Sequence, residues 1–400
     1  MVRSALILGF LALACAIALS LVGQLGDYPV DAGPAVAALA AGNFRRAAAV
    51  PFLMGPFSII LRAPFAWVAS SIETSSLGAY RAGIFPCVAA TSALGVELAR
   101  RSMRLDRTQS WPLVIPVLAV VSPASVAAVR EGHPEEALAG ALSVAAVMLA
   151  TRGRLGWSAI SLGLAVATKQ WALLAVVPTL LAASSHALKE VIKLGVVAAL
   201  TAALFYAPFV VADSHAFFTA TRIEARVIPA ATPETIWLEA SHPKPLRFKQ
   251  FPVLTSHPVA KWIPPASHAL IVLIAVPFGL LLWRRGISTA DVFAFLALLF
   301  LLRCVLDPDD QGYFHLPLVL ALLTWEVERR LLVRQLPVAT LLVALCLWLT
   351  FDVLHPHFAE THIWRVNAFY LAWTSALALY LLSALKLIPL RARRGPELAS

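Results

Sequence analysis

Apolar runs separated by short polar connections recur along the whole chain, near residues 4–23, 77–98, 112–129, 135–150, 155–168, 171–184, 190–212, 266–283, 288–303, 312–327, 336–353 and 364–388. A lipid interior offers backbone groups no partner, so runs of this length predict helices, which satisfy their backbone internally. The pattern predicts an all-α fold, a polytopic transmembrane bundle of about twelve spans within a range of about 10–13. Two stretches fit less simply. Residues Pro51 to Ile72 are apolar enough to span, yet counting them would put Arg100, Arg101, Arg104 and Arg107 on the wrong side. They are predicted as a re-entrant or interfacial helix pair, broken at Pro51, Pro56 and Pro64 and carrying Arg62. From Leu155 to Ser184, Lys169-Gln170 interrupts an apolar run whose flanks, Arg152/Arg154 and Lys189/Lys193, both require the same side. Two crossings follow, each half about 21 Å long against a core of about 30 Å, so Lys169 is expected to project into a polar cavity that opens outward.

Charge tests this topology. Arg3, the Arg100 to Arg107 cluster, Arg152 and Arg154, Lys189 and Lys193, Arg284 and Arg285, Arg329, Arg330 and Arg334, then Lys386, Arg391, Arg393 and Arg394 fall on alternate connections. By the positive-inside rule that side is the cytoplasm, holding both termini, with a net charge of roughly +11 against −1 outside. The first run is read as an uncleaved helix. The chain is expected to be one integral membrane domain over residues 1–390, with an outer loop and interfacial helices at 24–76, a lid-like outer loop at 213–265, and a basic cytoplasmic tail at 391–400.

A chain of 400 residues that is 60% hydrophobic and 14% charged needs lipid as solvent for its apolar surface. The formal charge of +10 does not indicate nucleic acid, because the basic residues follow apolar runs as pairs and quartets. Cys15, Cys87, Cys304 and Cys346 lie in or beside apolar segments without metal-ligand spacing and read as small buried hydrophobes.

Residue types capable of chemistry gather in the other set of connections. Asp31, in the first one with Asp27, sits where a membrane helix has just ended. It is either a partly desolvated general base or an N-cap for residues 32–41. The turn Arg130-Glu131-Gly132-His133-Pro134-Glu135-Glu136 places two acids where a helix N-terminus favours them. Lys169 is functional or snorkels to the interface. The segment from Arg303 to His315 offers three readings: a cation site at Asp307, Asp309 and Asp310, a phosphate site between Arg303 and His315, or a plain acidic turn. His355, His357 and His362, near Asp352 and Glu360, have metal-like spacing, but a solvated loop is the preferred reading. The connection from Asp213 to Pro265 carries Arg222, Arg226, Lys244, Arg247, Lys249 and Lys261 with Trp237 and Trp262. It suits a lid over an anionic, sugar-bearing lipid or a loop docked on headgroups.

Four features then resemble the GT-C superfamily of polytopic glycosyltransferases, and within it the polyprenol-phosphate-mannose-dependent mannosyltransferases of glycosyltransferase family 87. They are Asp31 before Gly42; the turn Gly132-His133-Pro134-Glu135; the Gly-Leu-Ala-x-x-x-Lys segment from Gly163 to Lys169; and the polar turn from Asp307 to His315. The turn has His133 and Glu135 where the family has Gln and Asn, and the later aromatic His pair is reduced to Tyr313-Phe314-His315. The resemblance implies a hexosyltransferase taking a sugar, mannose by analogy, from a polyprenyl phosphate donor to a lipid- or glycan-linked acceptor, with inversion. It implies that Asp31 is the acceptor base and that Lys169, Arg303 and His315 meet the donor phosphate; Asp27, His133, Glu135, Asp310 and Gln311 complete the expected substrate-binding set. No cofactor or metal is required, a divalent cation being left open. The expected partners are membrane lipids, donor and acceptor, in a bacterial plasma membrane with the active site facing outside. A secondary transporter or lipid flippase is the competing class, against which stand the absence of matching halves and the position of the acids at helix ends.

Overall fold

The computed structural model describes residues 2–50, 54–73, 75–105, 111–224, 230–246, 254–330 and 336–387. Pro51, Arg107, Arg226, Arg247, Lys249, Arg334 and the tail at 391–400 lie outside the described residues. The helices are α1 (Val2–Ser20), α2 (Ala32–Ala40), α3 (Phe44–Ala48), α4 (Pro56–Ile72), α5 (Ser76–Leu105), α6 (Val114–Val121), α7 (Pro123–Arg130), α8 (Glu135–Thr151), α9 (Leu155–Thr168), α10 (Val176–Ala182), α11 (Leu188–Glu224), α12 (Ile263–Arg285), α13 (Asp291–Leu306), α14 (Leu316–Arg330), α15 (Val338–Leu347), α16 (His355–Phe358) and α17 (Ile363–Ala384). A short antiparallel hairpin, β1 (Lys244–Leu246) with β2 (Leu254–Ser256), lies in the long connection that the hydropathy pattern leaves without strands.

Each apolar run forms helix, but the runs are not equally long. Among the described residues, six helical segments are long and apolar enough to cross a membrane: Ser76–Arg104, Trp111–Arg130, Leu188–Ala220, Ile263–Arg285, Val338–Phe358 and Ile363–Ala384. The Trp111–Arg130 segment breaks at Ser122, whose hydroxyl caps Ser125 as Pro123 opens α7. The shorter helices α8, α13 and α14 form the interior instead. Phe293, Phe295, Phe300 and Trp325 are fully buried there against the Ala-rich face of α8. By contrast, α11 and α12 turn leucines and valines outward along their length, the surface expected of helices solvated by lipid.

The stretch before α5 differs from its expectation. Pro56 occupies the first turn of α4, and the helix then runs unbroken through Pro64 to Ile72 as one element rather than a pair. Arg62 is not interfacial: it is completely buried. A second cluster of charges marks the other end of the bundle. Arg152, at the C-terminus of α8, pairs with Glu97 at 2.9 Å, and Arg101 pairs with Glu97 and Glu328. The two ends of α8 thus carry separate polar networks about 25 Å apart.

Two close approaches hold the site's backbone. Gly132 has φ +95°, and a Cβ there would lie 2.6 Å from Tyr28 N. Glycine is therefore needed both for its conformation and for the contact that lets Asp27 N donate to Glu131 O at 2.9 Å. At Gly55 a Cβ would come within 2.1 Å of Ala167 O, where Gly55 N donates to Thr168 O at 2.7 Å. This contact pins the end of α9 just before Lys169.

Candidate active site

The chain from α1 to α2, the α7–α8 turn, the α9 terminus and the α13–α14 connection converge at one end of the bundle. Asp31 precedes α2 but its side chain makes no capping hydrogen bond. Its carboxylate faces His133 instead, with Oδ2 3.8 Å from Nε2, while Asp27 Oδ2 stands 3.5 Å from the same nitrogen. These are charge contacts, too long for direct hydrogen bonds. Burial raises the basicity of Asp31 above the usual carboxylate range; His133 and Lys169 oppose the shift and Asp27 and Glu135 reinforce it. His133 is itself buried, which disfavours its charged form, but the hydrogen bond and charge of Glu135 prevail and raise its affinity for a proton.

Behind His133 the charges alternate. Glu135 Oε1 lies 3.1 Å from His133 Nδ1 and 3.2 Å from Lys169 Nζ, and its Oε2 lies 3.4 Å from Arg62. Lys169 Nζ is also 3.4 Å from Glu136, which reaches Arg303 at 3.5 Å. Both glutamates are fully buried. The first turn of α8 adds its unsatisfied N–H groups to this stabilisation. Three cations, Arg62, Lys169 and Arg303, thus enclose two carboxylates and leave one positive charge in excess.

Lys169 departs from its expected setting. The chain leaves α9 at this residue in an extended conformation, and a 3-10 turn over Gln170–Ala175 follows. Its ammonium does not project freely into an open cavity; it is 7% exposed and bridges the two glutamates. The interrupted apolar run marks Lys169 in the sequence, but its glutamate partners come from another helix. Arg303 packs its guanidinium over Trp171 at 4.8 Å and Phe314 at 4.3 Å, while Trp171 Nε1 donates to Glu136 at 3.2 Å. Arg62 lies over Tyr28 at 5.0 Å. Tyr313 stacks on His133 with centroids 4.5 Å apart.

His315 does not join Arg303 in this line of charges. It is fully buried in a second cluster, with Nε2 3.0 Å from the Tyr370 hydroxyl and 3.5 Å from Asp310 Oδ2. Asp307, Asp309 and Asp310 likewise do not converge on one cation: Asp307 faces His268, Asp309 accepts from Gln311 at 2.9 Å, and Asp310 turns inward. Gln311 is thereby occupied with its own loop. Neither do the three late histidines meet, since His355 binds Glu234 at 2.7 Å, His357 binds Val353 O and His362 binds Thr361. Asp27, Asp31 and His133 are close enough to hold a metal ion, as are Cys304, Asp310 and His315.

The long connection after α11 is anchored to this end. Thr232 N donates to Pro308 O at 3.0 Å, and Asp310 N donates back to the Thr232 hydroxyl at 3.2 Å. Trp237 Nε1 reaches Leu306 O, and Asn367 Nδ2 donates to Pro233 O and Thr235 O, both at 2.8 Å. Arg62, Trp171, Tyr370 and Asn367 were not singled out as site residues. Arg62 carried a signal, a cation inside an apolar run, that its proline-rich surroundings disguised.

An apolar helical bundle carrying a buried centre of clustered charges at the ends of its helices marks a membrane protein with a functional site at that end. Residues 52–308, more than half of the chain, match glycosyltransferase family 87, and the protein belongs to that family. It is therefore a membrane glycosyltransferase, and the transporter alternative is set aside. The match includes His133, Glu135, Lys169 and Arg303, while Asp31, Asp310 and His315 lie outside it. Comparison with curated proteins returns no match.

Proposed function

We propose that the protein moves a hexose, mannose by family resemblance, from a polyprenyl phosphate to a lipid- or glycan-linked acceptor, with inversion at the anomeric carbon. The observation that carries this reading is the line Asp31, His133, Glu135, Lys169, Glu136, Arg303, in which a partly desolvated carboxylate faces a cluster where Arg62, Lys169 and Arg303 outnumber the two glutamates. The acceptor hydroxyl gives its proton to Asp31 as its oxygen bonds to the anomeric carbon. The bond from that carbon to the phosphate oxygen breaks, and the phosphate leaves with its polyprenyl chain. His133, disposed to hold a proton through Glu135, turns its Nε2 toward Asp31 and Asp27 and orients the carboxylates on the acceptor side.

The excess charge serves the leaving phosphate. Lys169 and Arg303 are paired with glutamates, so they are preorganised and need no reorientation when negative charge develops. Arg303 suits a phosphate because its planar guanidinium has donors beyond the one nitrogen that meets Glu136 and Phe314 O. A phosphate is a competent leaving group once its charge is met, so catalysis does not require a metal at this step. His315 faces Asp310 and Tyr370, which supports removing it from the phosphate contacts and keeping Lys169 and Arg303. Asp27 and His133 line the acceptor side; Glu135 orients His133 and Lys169.

The reaction is proposed at the outer face of a bacterial plasma membrane, with both termini cytoplasmic, on the strength of the alternating Lys and Arg. The described part of the connection between α11 and α12 is proposed as a cover over the donor entrance, supported by the anchoring of Thr232, Pro233 and Thr235 on Pro308, Asp310 and Asn367. Transfer from radiolabelled polyprenyl phosphate mannose in membranes tests the reading. Native protein should label the acceptor and Asp31→Asn should not; equal incorporation removes Asp31 from the mechanism, and no incorporation by the native protein refutes the donor.

A further inference from the structure

A second buried cluster stands beside the charge line. Cys304 on the last turn of α13, Asp310 in the connection and His315 before α14 bring one ligand atom each within 4.8 Å of one another, and all three side chains are buried. Asp310 is 1% exposed and has the neutral Tyr370 hydroxyl as its hydrogen-bond partner, with no Lys or Arg within ion-pair distance among the described residues. His315 Nε2 at 3.5 Å and the Tyr370 hydroxyl are the polar groups beside it. A buried carboxylate held by neutral partners alone is costly, and native structures seldom retain one without a counter-charge.

The tautomer of His315 fits a ligand role. Nδ1 is 3.3 Å from Gln311 O, a carbonyl that only an N–H can satisfy, so Nδ1 carries the proton and the lone pair of Nε2 points toward Asp310 and Tyr370. A backbone carbonyl behind a ligating imidazole is the arrangement that fixes ring orientation at metal centres. Cys304 Sγ lies 3.4 Å from Phe314 O, within the same pocket wall.

We propose that Cys304, Asp310 and His315 bind one divalent transition cation of the zinc class, with the Tyr370 hydroxyl beside the fourth position. A thiolate, a carboxylate and a neutral imidazole around a 2+ ion sum to zero charge, which suits full burial as no free carboxylate does. Mixed sulfur, nitrogen and oxygen donors select zinc or cobalt over calcium or magnesium. Tetrahedral bonds of about 2.0–2.3 Å put ligand atoms about 3.3–3.8 Å apart, so the site needs inward shifts of about 1 Å at most. On binding, the Cys304 sulfhydryl loses its proton to solvent and the ion gains a sulfur bond.

The ion ties α13, the α13–α14 connection and α17 together. It fixes the loop to which Thr232 is bonded and the turn that holds Tyr313 against His133. Its role is positioning, and the inference does not depend on the donor or acceptor proposed above.

The test is metal content of the full-length protein purified in detergent from cells grown with zinc, and with cobalt in place of zinc. About one metal ion per chain is expected, and the cobalt form should show a thiolate-to-cobalt charge-transfer band in the near ultraviolet. Cys304→Ser should abolish that band, Cys346→Ser should leave it unchanged, and Asp310→Asn should lower occupancy at least tenfold. The native protein alone decides the matter if a variant fails to fold. Native protein without stoichiometric metal overturns the proposal, and so does a cobalt form lacking the sulfur band, which would put any ion at Asp27, Asp31 and His133, where no sulfur is available.

Discussion

Glu135 is the hinge of the buried charge line, and its replacement by glutamine gives the sharpest energetic test. The substitution keeps shape and removes one negative charge from a fully buried position facing Lys169 at 3.2 Å, His133 at 3.1 Å and Arg62 at 3.4 Å. At an effective dielectric of about 20, two unit charges at such separations interact by about 5 kcal/mol. Part of this was spent on desolvating the ions, so the net loss expected on breaking the pairs is about 3–5 kcal/mol. That is a large share of a typical folding stability of about 5–15 kcal/mol. Arg62 suffers most, because its Nε and one terminal nitrogen already lack hydrogen-bond partners among the described residues. Removing its charge as well, in Glu135→Gln with Arg62→Met, restores the surplus of one positive charge. Unfolding titrations in mixed micelles should therefore give a coupling energy of about 2–3 kcal/mol between the two sites. A single variant within about 1 kcal/mol of native, or a double variant equal to the sum of the singles within about 0.5 kcal/mol, refutes the view that these charges are mutually compensating.

Other outcomes follow from the same geometry. Asp31→Asn should lower kcat by about 10²–10⁴-fold while leaving the unfolding midpoint close to native, read by donor-to-acceptor transfer and thermal unfolding in parallel. Because burial raises the Asp31 pKa and the base acts deprotonated, the native kcat/KM should fall as pH drops through a limb above the ordinary carboxylate range. A profile flat through that region argues against Asp31 as the base. Gly55→Ala drives a Cβ against Ala167 O and displaces Lys169 by its backbone, so transfer should fall by about 10²-fold; unchanged transfer means Lys169 is not positioned by this contact. Asn367→Ala leaves two carbonyl acceptors unpaired, at about 1–3 kcal/mol, and should accelerate limited proteolysis within 213–265. Equal cleavage rates would mean that Asn367 does not restrain the connection.

Much of the helical plan was legible because each apolar run is bounded by its own polar residues. The start of α8 at Glu135 and the break of α9 at Lys169 agree with the pattern to the residue. The spanning count was not legible in the same way. Hydropathy reports that a segment avoids water but not whether lipid or protein replaces it, and α8 and α13 are as apolar as the spans while being packed by other helices. The candidate site divides similarly. Asp31, His133, Glu135, Lys169 and Arg303 stood out as polar residues at helix ends, and the structure brings them together. Arg62 meets a carboxylate 73 residues away and His315 meets a hydroxyl 55 residues away. No local spacing encodes either pairing. Prolines at 56 and 64 suggested a broken helix, whereas the first sits where no backbone N–H is required and the second is absorbed within one continuous element.

The shortness of α9 connects these two levels. A helix of 14 residues rises about 21 Å, less than the apolar thickness of a bilayer, so its last residue ends below the level reached by a full span. Lys169 follows directly, and the extended backbone there turns its side chain back toward the first turn of α8. An ammonium at that depth is stable only with counter-charges, which Glu135 and Glu136 supply from a helix N-terminus that itself favours anions. The glutamates in turn would be intolerable without Arg62 and Arg303. Each charge is thus held by the cost of leaving its neighbours unpaired, and the cluster resists being dragged to the surface as a unit. A long α9 would have delivered Lys169 to the interface, where snorkelling and salt would have weakened its field. The truncated helix, which fits membrane crossing poorly, is what keeps Lys169 among the buried glutamates behind His133 rather than at the surface.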